Sequence, residues 1–140
     1  MSDAKKSVLI VDDERRIADT LKLILCSKGY IAEAAYDGLS GIERCRAFRP
    51  DLIISDVVMP GMNGVEMALA IRQEFSNCLV LLFSGQAATA DILEKARALG
   101  HEFDLLAKPV HPNELLQKVM QLIGAGDSGV AKQARTDPLK

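Results

Sequence analysis

The sequence predicts an α/β fold, a (βα)5 doubly wound sheet of five parallel strands. Short apolar runs alternate five times with amphipathic segments of helical period, the pattern of a sheet with helices on both faces. The first, third and fourth runs are continuously apolar, as expected for strands covered on both sides. A chain of 140 residues is long enough to bury one core of this kind.

The five strand candidates are short and rich in branched or apolar residues. Several of these runs end at a residue with a functional group that can take part in binding or catalysis, namely a carboxylate, a hydroxyl or an ammonium group. They are SVLIVD (7–12), YIAEAA (30–35), DLIISD (51–56), CLVLLFS (78–84) and FDLLAK (103–108).

The helix candidates lie between and after these strands, with apolar residues three and four positions apart. Gly29 closes the first helix, and Pro112, a favoured first-turn residue, opens the last. The predicted helices cover about residues 14–28, 38–48, 64–75 and 87–99, and continue from Pro112 onward.

One domain is expected over residues 1–123. Residues 124–140 are Gly-rich and polar without an apolar period, which predicts a flexible C-terminal tail or a linker stub. This segment is too short for a further folded module. We therefore expect either a stand-alone domain or one excised from a longer protein.

Composition and charge exclude several classes of protein. An apolar fraction of 49% excludes a disordered chain, and a net charge of −2 without a Lys/Arg stripe argues against direct nucleic-acid binding. No apolar run approaches ~18 residues, and the N-terminus MSDAKKSVLIVDD has no apolar region long enough for a signal peptide, so neither a membrane span nor a signal peptide is expected and the protein is predicted to be cytoplasmic. Three scattered cysteines (Cys26, Cys45 and Cys78) are expected to be reduced core thiols.

Carboxylates gather at the predicted carboxyl edge of the sheet, where open α/β sheets bind their ligands. Asp12 and Asp13 follow the first strand and Asp56 ends the third. Two charges ~5 Å apart repel by roughly 3 kcal/mol at an effective dielectric of about 20, so the cluster requires a cation or a proton. An oxygen-only set suits Mg²⁺. Asp12 or Asp13 could instead cap the helix that starts near Glu14, an equal alternative for Asp13, but capping does not account for Asp56.

A hydroxyl and a cation are predicted at the same edge, because Ser84 ends the fourth strand and Lys108 the fifth. An aspartate can be a nucleophile that becomes an acyl phosphate, and positive charge offsets that of the phosphoryl oxygens. Taken singly, Ser84 is a turn residue and Lys108 a surface cation. Together the strand ends favour a site for a phosphoryl group.

Over residues 5–123 the sequence resembles the receiver domain of two-component response regulators. The motifs are VDDE after the first strand, DVVMPGMNG around Asp56, Ser84 followed by Gly85, and Lys108-Pro109. The resemblance implies a flavodoxin-like fold in which Asp56 accepts a phosphoryl group from a sensor histidine kinase or a histidine phosphotransfer protein. It implies no separate substrate turnover, so the protein is not expected to be an enzyme.

The resemblance also implies a metal site. Asp13, Asp56 and the backbone carbonyl of Val58 would bind Mg²⁺, with Asp12 acting through a bound water. Partners would be the phosphodonor protein and, on phosphorylation, a second copy of the chain; neither nucleic acid nor a membrane is expected. The partner surface is expected on the first helix and the last loop, at Arg15, Ile17, Ala18 and Pro109.

Ser84 and Lys108 would hold the phosphoryl oxygens and report their presence. The Lys108–Pro109 peptide bond is expected to be cis, which costs little before proline. Leu105 departs from the family, which usually has an aromatic residue there as the rotameric partner of the hydroxyl residue. We therefore expect a smaller or differently located conformational change.

Three alternatives fit the sequence less well than this interpretation. A phosphatase of the haloacid dehalogenase type needs a second acid two residues after its nucleophile, where this chain has Val58. A flavodoxin-like cofactor binder needs a Ser/Thr/Gly-rich phosphate loop where this chain has acids. A phosphate-independent pseudo-receiver normally lacks an acid, the acceptor or the lysine, all of which are present here.

Overall fold

The computed structural model describes residues 5–85 and 89–126. The strands are β1 (Ser7–Val11), β2 (Ile31–Ala35), β3 (Leu52–Asp56), β4 (Leu79–Ser84) and β5 (Asp104–Ala107). The helices are α1 (Arg15–Ser27), α2 (Gly38–Phe48), α3 (Gly64–Glu74), α4 (Thr89–Ala98) and α5 (Pro112–Ile123). The (βα)5 prediction is confirmed. Predicted boundaries agree to within one residue, except that the start proposed for the fourth helix, residue 87, lies outside the described residues.

The five strands form one parallel sheet in the order β2-β1-β3-β4-β5. The strand order reverses between β1 and β3, which pair directly, with Val11 opposite Ser55. The next residues along these two strands, Asp12 and Asp56, are therefore neighbours at the carboxyl edge. This is the position at which open α/β sheets bind ligands.

The core lies on both faces of the sheet because successive residues of a strand point to opposite sides. Ile10 and Ile54 belong to the cluster that α1 and α5 cover, whereas Leu9 and Ile53 belong to the cluster under α2 and α3. All four side chains are at most 1% exposed. A rigid, doubly covered sheet thus holds the ends of β1 and β3 in place.

The cysteines do not all lie in this core. Cys45 and Cys78 are buried, and burial raises the pKa of both thiols, that of Cys78 to about 12. All three cysteines are free, but Cys26 is exposed, so its predicted core position was wrong. The reason is that Cys26 follows the buried Leu25 on α1 and points away from the sheet.

The described beginning of the predicted tail contacts the domain. The hydroxyl of Tyr30 donates a hydrogen bond to the carbonyl of Gly124 at 2.6 Å, and the N–H of Lys6 donates to the carbonyl of Gly126 at 3.4 Å. The rest of the predicted tail, residues 127–140, lies outside the described residues. None of the five helices described above has both the length and the apolar character needed to cross a bilayer.

Candidate functional site

Three carboxylates meet where β1 and β3 end. Asp12, Asp13 and Asp56 each place one carboxylate oxygen within 4.8 Å of the others. Asp12 is 2% exposed and Asp56 8%, whereas Asp13 is exposed. The structure thus brings the three predicted acids together, two of them largely removed from water and one facing it.

Asp12 is the acid that the crowding and burial affect most. One of its oxygens, Oδ1, accepts a hydrogen bond from the N–H of Glu14 at 2.9 Å, while the buried Oδ2 has no hydrogen-bond partner within the described ranges. Burial raises the pKa of Asp12 from 3.8 to about 6; the charges of Asp56 and Asp13 add to the increase, and the Glu14 N–H and Lys108 oppose it. A buried, unpartnered carboxylate oxygen beside two further acids is a feature that a cation would satisfy.

Helix capping does not account for Asp13. The residue at the N-cap of α1 is Glu14, and no side-chain hydrogen bond caps this helix. The capping alternative for Asp13 was therefore wrong, and its carboxylate faces the other two acids from the solvent side.

Asp56 has a partner on each of its two oxygens. The ammonium of Lys108 lies 2.7 Å from Oδ2, and the N–H of Val58 donates to Oδ1 at 3.2 Å. The Lys108 side chain is 37% exposed and that of Asp56 only 11%, so the ion pair joins a partly solvated cation to a largely buried anion.

A Cβ at Gly85 would lie 2.6 Å from Lys108 Cβ, so the lysine stem passes directly over Gly85. The Lys108–Pro109 peptide bond is cis.

The backbone after Asp56 is held by its own loop and by α3. Ser55 Oγ donates to the Asp56 carbonyl at 2.9 Å, and the N–H of Gly64 donates to the carbonyl of Val57 at 2.8 Å. A Cβ on Gly64 would lie 2.2 Å from the Asp56 carbonyl oxygen, so only glycine allows the start of α3 to approach so closely. Reciprocal hydrogen bonds between Asn63 and Glu66 cap this helix.

A cleft of about 460 Å³ opens above these groups. Asp56 and Lys108 face it, and so does half-exposed Val58, whose carbonyl was the predicted third metal ligand. The full lining is Asp13, Glu14, Ile17, Asp56, Val58, Gly85, Thr89 and Lys108. This volume is enough to admit a small charged group next to the Asp56 carboxylate.

Ser84 is placed at the end of β4, as predicted, but it is not part of the cleft lining. Its hydroxyl lies 2.6 Å from the hydroxyl of Thr89, the first residue of α4. Thr89 is 2% exposed and does line the cleft, although it is not among the predicted site residues. The only available signal was a hydroxyl residue near the start of the fourth helix, which is too common to single out.

Leu105 lies away from the cleft. It is 41% exposed on β5, beside a small cavity of about 110 Å³ that it shares with Leu93, Arg97 and Phe103 among other residues. Its cross-strand neighbour is Leu82. The structure therefore presents an apolar side chain at this surface and no hydroxyl.

The predicted partner surface is only partly available. Arg15, Ile17 and Pro109 are exposed, and the guanidinium of Arg15 stacks over the Tyr36 ring at 4.1 Å. Ala18 is fully buried, so its assignment to this surface was wrong. It lies one residue past Ile17 on α1 and turns toward the sheet, where it packs in the core.

Comparison with known proteins gives a consistent result. The family model described as the response regulator receiver domain matches residues 8–120. The response regulator ArlR of Staphylococcus aureus is 32% identical over 83% of this chain and 52% of its own length. The DNA-binding response regulator MtrA of Mycobacterium tuberculosis is 28% identical over 94% of this chain and 57% of its own. The chain thus spans about half the length of these curated relatives.

Solved structures show the same likeness. The chemotaxis protein CheY4 of Vibrio cholerae has a TM-score of 0.76 and 30% identity, over 86% of this chain and 100% of that one. The receiver domain of the Francisella response regulator 1452 has a TM-score of 0.71 and 26% identity, over 84% of this chain and 95% of that one.

Proposed function

The chain belongs to the response regulator receiver family, and from that membership we propose that it is the phosphoacceptor domain of a two-component phosphorelay. Asp56 takes a phosphoryl group from a sensor histidine kinase or a histidine phosphotransfer protein, and the domain then changes conformation. The observation that carries this proposal is the position of Asp56, between the Lys108 ammonium at 2.7 Å and the acids that follow β1.

The donor set fits Mg²⁺ as the cofactor. Three carboxylate oxygens within 4.8 Å form the hard oxygen site that this ion prefers, and the unpartnered Asp12 Oδ2 indicates that Lys108 alone does not offset the charge of the three acids. We assign Asp13, Asp56 and the Val58 carbonyl as ligands, with Asp12 acting through a water. When bound, the ion supplies positive charge next to the transferring phosphoryl oxygens.

The chemistry then requires little from the chain beyond position and charge. One oxygen of the Asp56 carboxylate attacks phosphorus and forms an O–P bond. The N–P bond to the donor histidine breaks, and that imidazole takes up a proton and leaves neutral. The Lys108 ammonium stays beside the new acyl phosphate and pairs with its oxygens. Hydrolysis of this group resets the domain, so no separate substrate is turned over.

The remaining expectations follow from this role. The partner is the phosphodonor protein, which we expect to contact the exposed residues Arg15, Ile17 and Pro109 around the cleft. A second copy of the chain is the expected partner of the phosphorylated form. We propose that this domain acts in the cytoplasm and contacts neither a membrane nor nucleic acid itself; its net charge of −2 supports the last point.

The test is incubation with acetyl phosphate and Mg²⁺, followed by intact-mass measurement. The wild type should gain one phosphoryl group, and Asp56→Ala should gain none. Omission of Mg²⁺ should reduce the gain in the wild type. Failure of the wild type to gain a phosphoryl group from acetyl phosphate, and also from histidine kinases tried in parallel, would overturn the proposal in favour of a phosphate-independent receiver.

A further inference from the structure

Two hydroxyl groups link the cleft to helix α4. Ser84 Oγ and Thr89 Oγ1 are 2.6 Å apart, near the short end of the range for hydrogen bonds between hydroxyl groups. Either hydroxyl can be the donor. Thr89 is 2% exposed and faces the same cleft as Asp56 and Lys108. The first residue of α4 is therefore bonded to the residue that ends β4.

Helix α4 packs against the domain through a small number of residues. Thr89 and Ala96 are buried, and Ile92 and Leu93 are partly buried against the same cluster as Ala96. Ala96 packs in a cluster that also contains Val57, the residue directly after Asp56. Because few buried contacts hold this helix, its position should respond to the loss or gain of a single hydrogen bond at its first residue.

A phosphoryl group on Asp56 would give the hydroxyl pair a defined direction. Such a group brings three strong acceptor oxygens and negative charge into the cleft. A Ser84 hydroxyl that donates to one of them forms a charge-assisted bond, roughly twice as strong as a neutral one. The Ser84 hydroxyl has only one proton to donate. Once that proton is bonded to the phosphoryl oxygen, Thr89 must be the donor in the hydrogen bond between Thr89 and Ser84. Each bond in such a chain polarises and strengthens the next.

The surface at Leu105 offers no equivalent route. Leu105 is 41% exposed and has no hydrogen-bonding group, and it lies beside a cavity separate from the cleft. Thr89, in contrast, lines the cleft and is also the first residue of α4.

We propose that Thr89 is the positioning residue that transmits phosphorylation to α4, through a hydrogen-bond chain from Thr89 to Ser84 to the phosphoryl oxygen. This inference rests on the proposed function, since it needs a phosphoryl group at Asp56. It places the conformational change in α4 (Thr89–Ala98) and leaves β5 (Asp104–Ala107) nearly unchanged.

The test measures amide hydrogen exchange of the protein with and without acetyl phosphate and Mg²⁺, with the phosphorylated fraction of each sample determined by intact mass. Phosphorylation of the wild type should slow exchange in α4 by about fivefold per phosphorylated molecule, because the added charge-assisted bond fixes Ser84, to which Thr89 is bonded, a gain on the order of one hydrogen bond. Thr89→Val keeps the shape and loses the hydroxyl, and the slowing should disappear. Thr89→Ser keeps the hydroxyl and should restore it. Thr20→Val, at an exposed position of α1, is the matched control and should behave as the wild type.

The outcomes separate the two proposals. Phosphoryl uptake with the same α4 response in Thr89→Val as in the wild type, or with no response in Thr89→Ser, overturns the inference alone. No uptake by the wild type overturns the proposed function and the inference with it. Should Thr89→Val fail to fold, Ser84→Ala must abolish the α4 response, and a retained response in that variant also overturns the inference.

Discussion

Lys108 Nζ lies 2.7 Å from Asp56 Oδ2, although the two residues are 52 positions apart in the chain. The register of the sheet brings them together. Asp56 pairs with Phe83 across β3 and β4, and Ser84 pairs with Ala107 across β4 and β5. Lys108 therefore emerges one residue beyond the end of β5, at the same edge as Asp56, and its length spans the intervening strand.

Removal of the lysine charge should slow phosphorylation. In Lys108→Met the stem keeps its packing over Gly85, but the ammonium that would pair with the phosphoryl oxygens is lost. We expect the rate of phosphoryl gain from acetyl phosphate, followed by intact mass, to fall about tenfold or more. Lys118→Met is the matched control, because its ammonium pairs with Asp104 at 3.7 Å, at the start of β5. Equal rates in the two variants would contradict this role for Lys108.

Mg²⁺ should stabilise the folded protein through the acids that follow β1. A ligand that binds only the folded state at ten times its Kd adds about 1.4 kcal/mol to the free energy of unfolding. Urea unfolding of the wild type with and without Mg²⁺ measures this difference. Asp13→Asn should lose most of the stabilisation, whereas Asp104→Asn, at the opposite edge of the sheet, should keep it. A Mg²⁺ effect of the same size in both variants would place the metal elsewhere.

Without metal, Asp12 should make the protein less stable as pH rises. The pKa of Asp12 is about 6 in the folded state and 3.8 as the ordinary value, so the folded state holds the proton more tightly. The resulting stabilisation is fully present below about pH 4 and is lost as pH rises through about 6, an effect on the order of 3 kcal/mol.

Comparison with Asp12→Asn isolates this contribution from the other titrating groups. The free energy of unfolding of both proteins is measured in urea with EDTA present. The difference between the variant and the wild type should shift in favour of the variant as pH rises from 4 to 7. If the free energy of unfolding depends on pH in the same way in the two proteins, burial of the Asp12 charge does not destabilise the folded state.

Gly64→Ala should damage the site through the backbone. The new Cβ would lie 2.2 Å from the Asp56 carbonyl oxygen, so either α3 or the end of β3 must move. We expect a loss of about 2 kcal/mol in the free energy of unfolding, together with slower phosphoryl uptake. Glu66→Ala removes the reciprocal cap of α3 without touching Asp56 and should lower stability alone. Uptake at the wild-type rate in Gly64→Ala would contradict the steric account.

The fold and the meeting of Asp12, Asp56 and Lys108 at one edge of the sheet were predictable because they depend on patterns that the chain carries locally. Runs such as Leu52–Ile54 have the length and composition of buried strands, and parallel strands place their carboxyl ends at one edge. Asp12, Asp56 and Lys108 meet there for that reason.

What could not be predicted depends on directions and contacts. The burial of Ala18 and the exposure of Cys26 depend on the exact rotation of α1 about its axis. An error of one residue in the predicted buried face is enough to exchange a buried position for an exposed one. The bond between Ser84 and Thr89 depends on how α4 approaches the end of β4, and no sequence pattern specifies that approach.

The most direct test of the account identifies the residue that carries the phosphoryl group. Sodium borohydride reduces an aspartyl phosphate to homoserine, and peptide mass spectrometry then locates the reduced residue. After treatment with acetyl phosphate and Mg²⁺, we expect homoserine at position 56 and unmodified aspartate at positions 12 and 13. Homoserine at position 12 or 13, or none in a protein that has gained a phosphoryl group, would contradict this expectation.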